Sequence, residues 1–96
     1  MELFIFARFH ARPGNEAAVE QAILEVIAPT REEEGCLRVH AFRSTRDPAS
    51  FHIHSRWVNE VAFEAHIGLP HTVRFIEQVE PLIDHAFEAV RTKKIG

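Results

Sequence analysis

Cysteine is almost absent from this sequence, since Cys36 is the only one among 96 residues. One cysteine cannot form an internal disulfide, so the chain is not a small secreted domain held together by disulfide bonds. A reduced environment suits this composition, and we expect a cytoplasmic protein. Because no base adjoins Cys36 in the sequence, we expect a small buried hydrophobe there rather than a nucleophile.

Strong charge of one sign and long apolar runs are also missing. The formal net charge is −3 with both signs interspersed, and the acidic run at Glu32 to Glu34 is short, so no nucleic-acid partner is expected. The apolar N-terminal segment is interrupted by Arg8 and His10, which excludes a membrane span or a secretion signal. We therefore expect one domain, residues 1–96, with no membrane partner.

Apolar spacing outlines the first half of the chain. Residues 2–11 are rich in Phe and Ile and contain no breaker, which favours a strand. After an RPGN turn, Asn15 is a candidate N-cap for a long helix. Pro29 is expected to bend this helix, and Gly35 to end it as the residue after its C-cap. The apolar face of the helix is expected to consist of Val19, Ala22, Ile23, Val26, Ile27 and Thr30.

The second half begins with two alternating segments, CLRVHAFRS and SFHIHSRWV, which predict an antiparallel hairpin around the loop TRDPA. Asn59 is a candidate cap for a short helix that Gly68 ends, and Pro70 starts another that Pro81 terminates. The segment LIDHAFEAVRTK predicts a last strand. The inward positions of the two short helices are expected to be Ala62, Ala65, His66 and Leu69, then Thr72, Phe75, Ile76 and Val79.

This order of elements predicts an α+β, ferredoxin-like fold, in which a four-stranded antiparallel sheet has helices on one face. The other face stays uncovered and, by alternation, is expected to carry Phe4, Phe6, Phe42 and Phe87. An exposed aromatic patch favours burial against a second copy, so we expect a homodimer.

Several motifs resemble, in their order and spacing, the antibiotic biosynthesis monooxygenase family. They are EEEGCL at 32–37, DPASFHI at 47–53, AFEAH at 62–66 after Trp57, and LPHTVRF at 69–75. With the preceding strand and helix they cover nearly the whole chain. The resemblance implies a dimeric α+β barrel and a cofactor-independent oxygenase that acts on quinols or polycyclic phenols with molecular oxygen.

Two positions depart from the pattern that the resemblance implies. Ser55 stands where the family often has a glutamate, and Val39 stands where it often has a tyrosine. In the related haem-degrading branch a tryptophan and a later histidine occupy the positions of His66 and Ile76, and the first strand carries an asparagine that is missing here. The haem ligand of that branch is therefore lost, and no cofactor is expected.

Histidine suits the removal of a phenolic proton, because its ordinary pKa lies near neutrality. His66 shares a helix face with Ala62 and Ala65, whose small side chains leave room above the strand that carries Trp57. We take His66 as the candidate base or oxyanion partner, assisted by His71 at the cavity mouth. The alternatives are a core histidine bonded to a backbone carbonyl for His66 and a solvent-facing residue for His71.

Aromatic walls suit a flat substrate. Trp57 shares its strand face with Phe51, Ile53 and Ser55, the face assigned to the helices. For each aromatic residue, plain core packing is the competing explanation. The expected substrate-binding residues are Trp57, Phe63, Phe75 and Ser55.

The remaining histidines are expected on the uncovered sheet face: His10, His40, His52, His54 and His85, together with Arg8, Arg38 and Arg56. His52 and His54 could chelate a metal with a third histidine, but no carboxylate shares that face at matching spacing, so no metal site is predicted. Histidines that face arginines favour instead a dimer whose stability changes with pH.

The preferred hypothesis is a homodimeric, cofactor-independent monooxygenase that oxidises a small aromatic quinol or polycyclic phenol between its helices and its sheet. A non-catalytic binding module is the first alternative, because Ser55 and Val39 replace an acid and a phenol. A non-oxidative, isomerase-like enzyme on the same barrel is the second, and it would use the pocket without consuming oxygen.

Overall fold

The computed structural model describes all 96 residues, Met1–Gly96. Its elements follow the expected order, and none of its helices combines the length and the hydropathy needed to cross a bilayer. The elements are β1 (Leu3–His10), α1 (Glu16–Arg31), β2 (Cys36–Arg43), β3 (Ser50–Trp57), α2 (Glu60–Ile67), α3 (Pro70–Val79), a short 3-10 turn (Glu80–Leu82) and β4 (Glu88–Thr92).

The strands form one antiparallel sheet in the order β2-β3-β1-β4. β1 pairs with β3 along its whole length, from Leu3 opposite Trp57 to His10 opposite Ser50. On its other side β1 pairs with β4, while β2 lies at the opposite edge. The helices cover one face, so the predicted ferredoxin-like α+β fold is confirmed.

The predicted apolar face of α1 is confirmed, because all the residues assigned to it are buried. Val19 and Ile23 are 0% and 1% exposed and pack in the main core with Phe9 and Phe51 of the sheet. A smaller core cluster surrounds Trp57 at the other end of the sheet. The helix and the sheet thus bury their apolar faces against each other, which is the main stabilising term in a domain of this size.

The ends of the helices agree with the sequence only in part. The Asn59 side chain accepts a hydrogen bond of 2.9 Å from the Ala62 N–H and caps α2 as predicted. Asn15 takes the N-cap position of α1, but its side chain makes no capping bond. The prediction for Gly35 is wrong, because α1 ends at Arg31 and Gly35 lies in the following turn with a φ of +88°.

The uncovered sheet face carries Phe6 and Phe42, which are 52% and 55% exposed and share a groove with His52 and His54. Placing Phe87 on this face was wrong. Its ring lies 5.0 Å from that of Phe9 on the helix side of the sheet. β4 is shorter than predicted and begins only at Glu88, so strand alternation does not govern the residues before it.

His85 also precedes β4, in the segment that leads into this strand, so its prediction as a strand residue was wrong. Its ring stacks on that of His10 at a centroid distance of 6.2 Å. Its Nδ1 lies 2.5 Å from an Asp84 carboxylate oxygen. His85 therefore belongs to a cluster at one end of the sheet, apart from His52 and His54.

Candidate active-site cavity

A cavity of about 240 Å³ lies between the helices and the covered face of the sheet. Most of its wall is apolar, since 14 of the 19 lining residues are hydrophobic. An apolar wall of this kind excludes water and strengthens the few polar interactions inside it. The polar residues on the wall are Thr30, Ser55, His66, Thr72 and Arg91.

His66 is brought to the cavity by α2, which starts at the Asn59 cap and ends at Gly68. Its side chain is 15% exposed. The imidazole lies against aromatic rings, with centroid distances of 4.8 Å to Trp57 and 5.7 Å to Phe63. The ring is thus held in place on two sides while it borders the cavity.

Glu33 lies in the turn after α1, and its carboxylate joins two histidines from different helices. Its Oε2 is 2.7 Å from Nδ1 of His66 and 2.6 Å from Nε2 of His71. The Glu33 side chain is only 7% exposed. The Thr72 hydroxyl lies 3.3 Å from the same His66 nitrogen. These contacts tie the turn, α2 and α3 together beside the cavity.

The same three side chains offer a donor set that suits a transition metal ion, with the donor atoms within 4.8 Å of one another. Ligand atoms about 2.1 Å from one ion at tetrahedral angles lie roughly 3.4 Å apart. The oxygen–nitrogen distances of 2.6 and 2.7 Å are shorter and have the length of hydrogen bonds. The arrangement therefore fits shared protons better than a metal centre.

Trp57 and Ser55 form part of the cavity wall contributed by β3. Trp57 is 0% exposed, and its Nε1–H donates to the Ser55 hydroxyl oxygen at 3.0 Å. The Ser55 hydroxyl still has its own hydrogen and can donate it to a ligand oxygen. The tryptophan is thereby fixed without using the donor capacity of the serine.

Comparison with known proteins decides the family. Residues 3–78 match the family model described as Antibiotic biosynthesis monooxygenase. The chain belongs to this family. In sequence it is 30% identical over 79 residues to the Mycobacterium tuberculosis protein named "Putative monooxygenase Rv0793", an alignment that covers 82% of this chain and 77% of the relative.

The solved structures of the relatives share the whole fold. The structure of Rv0793 superposes with a TM-score of 0.94 and 24% identity, covering 100% of this chain and 97% of that one. The crystal structure of PA3566 from Pseudomonas aeruginosa superposes with a TM-score of 0.92 and 26% identity, covering 99% and 95% of the two chains. The antibiotic biosynthesis monooxygenase fold therefore accounts for the entire chain.

The two departures from the family pattern meet inside this cavity. Val39 and Ser55 are cross-strand partners on β2 and β3, and both line the wall. The glutamate and tyrosine that they replace in the antibiotic biosynthesis monooxygenase pattern would have stood at the same place. Of the side chains on the wall, His66 and Arg91 are the ionisable ones.

The structure brings most of the predicted site residues together. Trp57, Phe63, Phe75, Ser55 and His66 all line the cavity. Phe63 meets Trp57 at 5.7 Å with its ring tilted by 63°, and Phe75 meets Phe9 edge to face at 5.6 Å. The aromatic residues therefore serve both as core packing and as cavity wall.

Two other predictions about the site need correction. His71 does not line the cavity, because its Nε2 is directed to Glu33. Ala65 was expected to face inward but is exposed, since α2 turns Phe63 and His66 toward the sheet. Ala62 is half-buried as expected and lies against Gly35.

Sequence reasoning missed two residues of the site. Glu33 was read only as part of a charge run, although it falls within the EEEGCL motif. Arg91 lies on the wall with its Cζ 5.0 Å from the Phe63 ring centre, and its guanidinium donates to Glu64 and to Glu60. These hydrogen bonds raise the pKa of Arg91, so its charge is retained and already compensated at the cavity rim. Arg91 follows Ala89 by two residues, so strand alternation places both side chains on the same face of β4. This spacing was the signal that could have identified Arg91 from the sequence.

Proposed function

We propose that this protein is a cofactor-independent monooxygenase that oxidises a small aromatic quinol or phenol in the cavity. The observation that carries the proposal is the His66 imidazole on the wall of an otherwise mainly apolar and aromatic space. Such a site offers a base for the hydroxyl proton and flat walls for the ring. Membership of the antibiotic biosynthesis monooxygenase family supports the reaction class.

The size of the cavity limits the range of possible substrates. Its volume of about 240 Å³ is below the ~300–1,000 Å³ that is typical of pockets for drug-sized ligands. A substrate of one or two fused rings is therefore favoured over larger polycyclic phenols. Ser55 supplies a hydroxyl donor for a substrate oxygen on the sheet side, while His66 lines the same cavity from α2.

The proposed reaction needs no electron source other than the substrate. His66 accepts the hydroxyl proton of the quinol, and the resulting anion gives one electron to molecular oxygen. The superoxide then joins a ring carbon of the aryloxyl radical to form a hydroperoxide. Cleavage of the O–O bond with loss of the proton on that carbon releases water and leaves a carbonyl. The balance is quinol plus oxygen to hydroxyquinone plus water, a four-electron oxidation of the ring.

The decisive experiment is oxygen uptake by metal-stripped protein with 1,4-dihydroxynaphthalene as the bicyclic quinol, and with ¹⁸O₂ to follow the incorporated atom. His66→Ala is expected to reduce the protein-dependent rate by about 100-fold, since general base catalysis contributes roughly 10²–10⁴. His85→Ala is the matched control, because that histidine is exposed and does not line the cavity.

Other outcomes assign the cavity differently. Saturable binding of the quinol without oxygen uptake would indicate the non-catalytic binding module, and conversion of the ligand without oxygen uptake would indicate an isomerase-like enzyme. Oxygen uptake that His66→Ala leaves unchanged would remove His66 from the reaction.

A homodimer formed through the uncovered sheet face is the second part of the proposal. Phe6, Phe42 and Val90 are each more than half exposed on or beside one groove of that face, a larger apolar patch than isolated surface residues make. Sedimentation equilibrium is expected to show a dimer that Phe42→Glu dissociates. Leu24→Glu on α1 is the control, because Leu24 is 54% exposed but lies on a helix. If both variants changed the dimer dissociation constant equally, the uncovered sheet face would not be the interface.

A further inference from the structure

We propose that Glu33 is a positioning residue that sets the tautomer of His66 and balances the charge of its imidazolium, and that His71 holds Glu33 in place. The catalytic part of this inference rests on the proposed function, whereas the tautomer is a property of the folded protein. Neither Glu33 nor His71 lines the cavity, so both act through His66.

The tautomer follows from what each group can donate. An ionised carboxylate only accepts hydrogen bonds, and a neutral imidazole carries its hydrogen on one nitrogen. Because Nδ1 of His66 lies 2.7 Å from Glu33 Oε2, that nitrogen must carry the hydrogen. The opposite tautomer would set a nitrogen lone pair against a carboxylate oxygen. Nε2 is therefore the ring nitrogen left to accept a substrate proton.

The charge of the group favours that transfer. With both imidazoles neutral, Glu33, His66 and His71 together carry one negative charge. A proton taken up by His66 places a positive charge one hydrogen bond from a carboxylate that is 7% exposed and poorly screened. The interaction grows as the proton moves, so it stabilises the transition state more than the ground state.

His71 restrains the carboxylate from the other side. Its Nε2 lies 2.6 Å from the same Glu33 oxygen that receives the His66 hydrogen bond. Pro70 starts α3, and His71 stands in its first turn with a side chain that is 22% exposed. Because the oxygen is bound from both α2 and α3, it cannot turn away from His66 without breaking the hydrogen bond to His71.

The first test needs no substrate. In protein labelled with ¹⁵N-histidine at about pH 8, above the ordinary pKa of histidine, nitrogen–proton correlation spectra are expected to show the hydrogen on Nδ1 of His66 and on Nε2 of His71. Glu33→Ala is expected to shift His66 toward the Nε2–H form. Glu32→Ala and Glu34→Ala are matched controls, because both neighbours are exposed. A hydrogen on Nε2 of His66 in the unmodified protein would overturn the proposal.

The second test uses turnover of 1,4-dihydroxynaphthalene. Glu33→Gln is expected to lower kcat by about 10- to 100-fold, by analogy with the carboxylates that orient metal-ligating histidines, while KM changes little. Glu33→Asp is expected to recover part of the loss. In Glu33→Gln/His66→Ala the loss should equal that of His66→Ala alone, because Glu33 acts through His66. Losses that add in the double variant would contradict a positioning role.

The outcomes separate the two proposals. If the unmodified protein takes up no oxygen, the proposed function fails, and the tautomer measurement still decides the role of Glu33. If oxygen uptake occurs but Glu33→Gln retains full kcat, the positioning role fails alone. If metal-stripped protein is inactive and Zn²⁺ or Fe²⁺ restores turnover, Glu33, His66 and His71 form a metal centre and the positioning proposal is overturned.

Discussion

Gly35 lies so close to Ala62 that a Cβ atom on the glycine would stand 2.6 Å from the Cβ of the alanine. Real Cβ atoms do not approach to that distance, so the contact requires glycine on one side. The backbone φ of +88° at Gly35 adds a second requirement for glycine. This close approach holds the turn that carries Glu33 against the helix that carries His66.

Gly14 provides a matched control for the steric part of this contact. Its φ is +89°, and a Cβ added there would meet nothing within 4 Å. Gly14→Ala is expected to lower the free energy of unfolding by about 1–2 kcal/mol through the left-handed backbone alone. Gly35→Ala should lower it further, and Gly35→Ala/Ala62→Gly should recover only part of the difference, because Val58 Cγ1 would still lie 3.1 Å from the added Cβ and glycine is unfavourable inside α2. Equal urea midpoints for the two single variants would show that Ala62 gives way without cost.

Ile53 tests whether the cavity selects the substrate. It lines the cavity from β3, whereas Ile23 is 1% exposed in the main core and does not line the cavity. Either residue changed to alanine should destabilise the protein by up to about 2–5 kcal/mol, and Ile53→Ala by less because Ile53 is half-buried. Only Ile53→Ala is expected to lower the KM for a three-ring quinol relative to a two-ring one. The same shift in Ile23→Ala would point to general loosening instead.

The lowered pKa of His54 predicts that folding stability decreases in acid through the uncovered sheet face. Its pKa is lowered, first by burial and then by the charges of His40, which faces it across the β2–β3 pair, and of Arg38. Its ring also packs 4.8 Å from that of Phe6. Between the lowered pKa and the ordinary value near 6.5, the unfolded chain binds more protons than the folded one, so stability is lost as the pH falls through this window.

A dimer that buries the same face should also lose stability as the pH falls. The dimer dissociation constant is expected to rise between about pH 7.5 and pH 5.5, the range over which histidine titrates. His54→Gln should flatten this dependence. A dissociation constant that stays unchanged over the range would refute a pH-sensitive interface.

The contacts of His10 predict a pH dependence of folding stability opposite in sign to that of His54. Its Nδ1 lies 2.6 Å from Asp84 and its Nε2 2.9 Å from Asp47, which joins the end of β1 to two loops. These hydrogen bonds, that of Asp84 first, raise the pKa of His10. The folded chain then binds more protons above the ordinary pKa, so this stabilisation is present at lower pH and is lost as the pH rises through the raised pKa.

The measurement is the Tm of the unmodified protein and of His10→Gln across the neutral range. The difference in Tm between them should shrink as the pH increases. Because His10 and both aspartates are solvent-accessible, the effect is expected to be modest and to weaken with added salt. A difference that grows with pH would show that these bonds do not stabilise the protonated ring.

Local patterns were sufficient for much of the fold. The apolar spacing of α1 and the cap at Asn59 depend on neighbours within a few residues, and both were predicted correctly. The site depends on contacts between distant segments. Glu33 contacts His66 and His71, which are 33 and 38 positions away in the chain, so no local sequence pattern predicts these contacts. Phe87 was misplaced for a related reason, because tertiary pairing decides where β4 begins.

The short edge strand β4 has a consequence for how ligands reach the cavity. It spans five residues, pairs only with β1, and carries no buried residue. Strands of this kind open locally at low free energy, so we expect their amides to exchange with solvent deuterium before those of β1 and β3. Ala89 and Arg91 of this strand stand on the cavity wall. Local opening of this edge strand requires that Arg91 break its hydrogen bonds to Glu60 and Glu64 of α2. The rate of this opening would then limit the rate at which flat ligands enter and leave the cavity.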